Sequence, residues 1–109
     1  MARDAGLEAL LESDLAHLEG TEVKRMFGGV ATMWRGNLLC GASHRGVLIR
    51  LGKGNDGSAL DERGVTPMVM GGRPMEGWVR LAPEAAGDDG LRQRLLRAAE
   101  AFVGTLPPK

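Results

Sequence analysis

The chain has 109 residues, 43% of them hydrophobic and 26% charged, with no net charge. That suffices for one globular domain with a modest core and excludes a disordered polymer. One cysteine, Cys40, excludes an internal disulfide framework, no apolar run approaches the roughly 20 residues of a membrane-spanning helix, and the N-terminus lacks an apolar signal core, so a cytoplasmic protein without membrane contact is expected.

The charge is unevenly placed. Residues 1–20 carry one arginine against five carboxylates, a net of −4. Residues 21–53 carry Lys24, Arg25, Arg35, Arg45, Arg50 and Lys53 against Glu22, a net of +5. A basic strand region therefore follows an acidic first helix.

In chain order, residues 5–19 are predicted to be helical, because Leu7, Leu10, Leu11, Leu15 and Leu18 recur at spacings of three and four. Gly20 stands where a left-handed C-terminal cap is wanted, and His17 borders the apolar stripe. Three strands follow: Val30 to Arg35, Leu38 to Ala42 and Val47 to Leu51. Gly36-Asn37 and the segment 43–46 separate them, connections short enough to force antiparallel hairpins. In the third strand Val47, Ile49 and Leu51 share one face, and Leu48 and Arg50 the other. Val23 to Phe27 is left open as a further strand, with Gly28-Gly29 as a bend or bulge after it.

Gly52 to Gly57 reads as a loop, Ser58 to Arg63 as a short helix ended by Gly64, and Thr66 to Met70 as a strand. Pro67 lacks an N–H, which places that strand at an edge. After a turn at 71–74, Met75 to Leu81 forms the last strand, with Met75, Gly77, Val79 and Leu81 on one face and Glu76, Trp78 and Arg80 on the other. Residues 88–106 give a closing helix capped by Asp88 or Asp89, burying Leu91, Leu95, Ala99, Phe102 and Leu106 and turning Arg92, Arg94 and Arg97 to water. The expected architecture is a single α+β domain of two layers, an antiparallel sheet with helices on one face, in the order α-β(3)-α-β(2)-α.

Two motifs stand out: Arg25-Met26-Phe27-Gly28-Gly29-Val30, and Gly71-Gly72-Arg73-Pro74-Met75-Glu76-Gly77-Trp78-Val79. Together, at this separation, they resemble the N-terminal domain of the TfoX/Sxy family. The resemblance covers roughly residues 5 to 105. It implies an α-β(3)-α-β(2)-α two-layer fold, in agreement with the order above. The family is named for regulators of natural competence that activate transcription together with a cyclic-AMP receptor protein. Those regulators also carry a C-terminal helical domain, so this chain is expected to represent the N-terminal domain standing alone. The resemblance brings no catalytic residues.

The residues themselves suggest no strong catalytic or metal motif. Gly52-Lys53-Gly54-Asn55-Asp56-Gly57 matches G-x-G-x-x-G, with Glu76 about 20 residues on, but the helix after it is too short for a dinucleotide crossover. Cys40 reads as a buried small hydrophobe, not as a nucleophile served by His44. His17, Cys40 and His44 have no metal-ligand spacing. The pairs Asp61-Glu62 and Asp88-Asp89 are neighbours that do not face each other, so they read as solvated charges and caps. We therefore expect a non-catalytic domain without a cofactor. Its function would be protein contact, with transcription machinery or a second copy of the chain, through Trp78 between Glu76 and Arg80 on the uncovered sheet face. The alternative is direct nucleic-acid binding through Lys24, Arg35 and Arg50, with a tryptophan as a stacking plane.

Overall fold

In the computed structural model, which describes residues 4–26 and 28–109, the chain opens with helix α1, Ala5–Asp14, whose first turn is closed by the Asp4 carboxylate accepting from the Leu7 N–H at 3.0 Å. Leu7 and Leu11 are buried on its inner face, and so is Asp14. The helix stops five residues before the expected end. The Asp14 carbonyl is taken by the Arg97 guanidinium at 2.7 Å, and turns lead on to Gly20, at φ +84°. Gly20 thus turns the chain into the sheet without capping the helix.

Six strands follow in two groups. The first is β1 (Thr21–Met26), β2 (Gly29–Trp34), β3 (Asn37–Ser43) and β4 (Gly46–Arg50); after helix α2 (Gly57–Leu60) come β5 (Val65–Met70) and β6 (Arg73–Leu81). All pair antiparallel, in the order β1-β2-β3-β4-β6-β5. Helix α3 (Pro83–Ala86) and helix α4 (Asp89–Val103) close the chain. The fold is the expected α+β class, with one strand and one short helix more than the expected order. β1 forms because its six residues pair in unbroken register with β2, although few of them are apolar. Gly28, at φ +72°, is the hairpin turn between the two strands; Gly29 lies so close to the Ala42 carbonyl that a Cβ would sit 2.1 Å from it.

Two further turns place both central residues at positive φ, the geometry that matches strand twist: Arg35-Gly36 and Gly71-Gly72. The first lies one residue before the expected Gly36-Asn37. Asn37 is instead a buried strand residue that donates to the Pro107 carbonyl at 3.0 Å. Pro67 sits in β5, an edge strand, as its missing N–H requires.

The core lies between the sheet and the helices. Val47, Ile49 and Leu51 meet Val79 and Leu81 of β6, Leu39 and Cys40 of β3, and Leu95, Leu96, Ala99 and Val103 of α4. β6 does not alternate as expected. Pro67 pairs with Val79 but the next residue, Met68, pairs with Met75, so residues 76–78 have no partner on β5, and Gly77 stands at φ +85°. Three extra residues, an odd number, reverse the parity. Met75 therefore lies opposite Met68, which is outside the core cluster, and does not share the buried face of Val79 and Leu81.

Arg92 corrects a second expectation. It does not face water: it is 1% exposed, and its Nε donates to the Asp14 carboxylate at 2.6 Å. The stripe that α4 buries is Arg92, Leu95, Leu96, Ala99 and Val103, with Leu91 and Phe102 only half-buried at its flanks. Arg92 also donates to the Ala86 carbonyl at 2.7 Å and to Asp89 at 2.9 Å, and Gln93 donates to Asp14 at 3.1 Å. Asp14 holds the Arg92 guanidinium above its ordinary range. At the outer rim of this contact Arg97 pairs with Glu100, and His17 bonds Glu100 at 2.9 Å.

Candidate interaction surfaces

β1 is an edge of the sheet. Thr21 to Arg25 are all exposed and Val23 is 63% exposed. The two edges differ. β5 carries a proline and a register break, devices that blunt strand addition. β1 has neither, though it carries the exposed charges Glu22, Lys24 and Arg25, and its outer N–H and C=O groups meet no strand among the described residues. Between β1 and α1 runs a groove of about 330 Å³ lined by Leu11, Leu15, Leu18, Val23, Val30 and Thr32, with Glu8 and Glu12 on the helix side. On the other side of the strand lie Glu22 and Lys24, neither in an ion pair within the described residues.

The sheet face away from the helices carries Leu48, Arg50, Trp78 and Arg80, as the register of β4 with β6 requires. Trp78 is half-buried: the Arg50 guanidinium lies 5.1 Å from its ring centroid and 5.5 Å from that of Phe102. Glu76 is exposed and pairs with Lys53 at 3.5 Å. Arg80 is half-buried and lines a different part of the face. The expected trio of Glu76, Trp78 and Arg80 is therefore split by the Gly77 bulge into three environments.

The three cations of the alternative site are also apart. Lys24 is on β1; Arg35 is in the β2–β3 turn over Trp34, at 5.1 Å; Arg50 is occupied by two rings and the Leu38 carbonyl at 3.4 Å. Lys24 lies opposite Ala31, four residues from Arg35, about 13 Å along the strand.

The structure instead draws the two sequence motifs to one place. A cavity of about 540 Å³ is lined by Gly28 of the first motif and Gly71 of the second, with His44, Arg45, Met68, Val69, Met70 and Arg80. Of the remaining motif residues, Arg25 and Met26 lie in β1, Gly29 opens β2, Gly72 completes the turn, and Arg73, Pro74 and Met75 begin β6. Phe27 lies outside the described residues. Arg45 and Arg80 are 35 positions apart in sequence, and only the sheet brings them together. Burial and then the neighbouring Arg45 push the Arg80 guanidinium below its ordinary range.

Cys40 is fully buried, and burial pushes its thiol up to about 12, far from a thiolate at neutral pH. His44 stands in an exposed turn on the other face. The Gly52–Gly57 loop follows a strand that runs antiparallel to its neighbours, and α2 is only four residues long. Its Asp56 carboxylate accepts from the Gly77 N–H at 3.0 Å, so the loop serves to seat the β6 bulge. Among the described residues, no three of His, Cys, Asp and Glu cluster as metal ligands, and no helix is long and apolar enough to cross a membrane.

Among the described residues, an open six-stranded antiparallel sheet covered by helices on one face makes this a small α+β domain. A model of the TfoX N-terminal domain family matches residues 13–103, nearly the whole chain, and the protein belongs to that family. No curated protein and no solved structure matches it.

Proposed function

We propose that this chain is a non-catalytic interaction domain of the TfoX N-terminal type, acting in the cytoplasm through protein contacts, the first of them with a second copy of itself along β1. The observation that carries this is the unpaired β1 edge beside the groove lined by Leu11, Leu15, Leu18 and Val23, its charges placed so that a second copy can match them. The strand is self-complementary. In an antiparallel pair of β1 strands centred on Val23, each Val23 faces the other, and Glu22 of one copy faces Lys24 of the second on the same side of the sheet. Arg25 of the second copy then falls on the groove side, where Glu8 and Glu12 stand. The competence regulators of the family suggest the setting, in which the paired domain presents a surface to transcription machinery. Nucleic-acid contact through Lys24, Arg35 and Arg50 has less support, since these side chains are spread over the sheet and Arg50 is engaged.

The test is sedimentation of the native chain against Val23→Pro, which removes an N–H and blocks strand addition. The native chain should sediment as a dimer and the variant as a folded monomer. A native chain that stays monomeric at high concentration would remove the reading.

A further inference from the structure

The cavity where the two motifs meet is distinct from the β1 edge and has its own chemistry. Three turns build its rim: Gly28 between β1 and β2, His44 and Arg45 between β3 and β4, and Gly71 between β5 and β6. Two arginines line it and no carboxylate does. The ion pairs of the described residues use Lys53, Arg92, Arg94, Arg97 and His17 as their cations, so neither Arg45 nor Arg80 has an acidic partner there. The backbone of Arg45 is fixed by its N–H donating to the Ser43 hydroxyl at 3.2 Å, while its side chain remains exposed. Arg80 is the half-buried member of the pair. Two arginines lining one depression with no carboxylate beside them leave a cationic site, and arginine forks match the oxygens of phosphate or carboxylate two at a time. Beside them Met68 is buried, and Val69 and Met70 are 59% and 44% exposed, an apolar surface in the same cavity. The site is an open depression of about 540 Å³, so a ligand there would keep one side in water.

We propose that this cavity binds a small organic phosphate, its phosphoryl oxygens held by Arg45 and Arg80 and its apolar part lying on Met68, Val69 and Met70. The two sequence motifs then share a purpose: their glycines form turns tight enough to bring the rim together around the anion. Such a ligand would stabilise the fold by occupying a site that exists only when β3–β4 and β5–β6 are both in place.

The test titrates phenyl phosphate, inorganic phosphate and a short single-stranded DNA separately into the isotopically labelled chain, following backbone amides by nuclear magnetic resonance. Phenyl phosphate should shift residues 28, 44, 45 and 71 saturably and bind more tightly than inorganic phosphate. Arg45→Gln and Arg80→Gln should each weaken it about tenfold or more, the scale of one lost charge-assisted contact. Arg45 is exposed in a turn, so its variant folds and keeps the test valid if Arg80→Gln does not. Saturation by DNA alone would overturn the small-ligand assignment. So would phenyl phosphate binding that Arg45→Gln leaves unchanged, or no saturable shift with any probe.

Discussion

Replacing Asp14 with alanine removes the carboxylate from a buried ion pair and leaves its partner behind. Arg92 is 1% exposed and makes four polar contacts: two to Asp14 at 2.6 and 3.4 Å, one to the Ala86 carbonyl and one to Asp89. Stranding a buried charge in this way costs about 3–5 kcal/mol. Asp89 still offers partial compensation, but its side chain is 72% exposed and well solvated. The lower end, about 3 kcal/mol, is therefore expected. For a domain of this size that lowers Tm by about 12 °C or more. Replacing both partners by apolar groups, Asp14→Leu with Arg92→Met, should recover most of the loss, because no unpaired charge remains. The assay is chemical denaturation followed by circular dichroism on the native chain, both single variants and the double. A loss under about 1 kcal/mol for Asp14→Ala would match a solvated surface pair and refute the burial argument. A double variant as unstable as the sum of the singles would refute the pairing.

Three further variants probe the core, the bulge and the loop before α2. The Cys40 thiol is held neutral in the fold up to about 12, whereas in the unfolded chain it ionises near 9. The unfolded state therefore loses its proton first, and stability should fall by about 1.4 kcal/mol per pH unit above roughly pH 9. Cys40→Ala should remove that component from the alkaline denaturation profile, and an unchanged profile would contradict it. Gly77→Ala should cost at least about 2 kcal/mol, since Gly77 has a left-handed backbone and a Cβ there would lie 2.4 Å from the Gly52 carbonyl carbon. Gly54→Ala, also left-handed but with open space around it, should cost only about 1 kcal/mol in the same denaturation series.

Most of the scaffold is readable from local pattern. The alternation of Val47, Ile49 and Leu51, the tight connections between strands and the Asp88 cap all act over a few residues, and each appears in the structure. What escapes is set by distant partners. β1 has little apolar alternation and forms because β2 lies beside it. Arg92 occupies a core position because Asp14, 78 positions earlier, sits on the buried stripe of α1 with Leu7 and Leu11. That stripe spacing of 7, 11 and 14, and the matching 92, 95 and 99, was the available signal for the pair. The reversed parity at Met75 depends on the Gly77 bulge, which a regular strand pattern cannot reveal. The two motifs read separately as turns; only the sheet order shows that Gly28 and Gly71 border one cavity with Arg45 and Arg80.

The proposed pairing of β1 with a second copy is tested most directly by exchanging its charges. In Glu22→Lys, both cross-strand positions of the pair become positive; in Lys24→Glu, both become negative. Each opposed like-charge pair replaces an attraction worth about 0.2–1 kcal/mol with a repulsion, twice per dimer. Sedimentation of each variant alone should therefore show monomer. An equimolar mixture should show dimer, because every position then faces its opposite charge. Monomer in the mixture, or dimer in both single variants, would contradict the pairing.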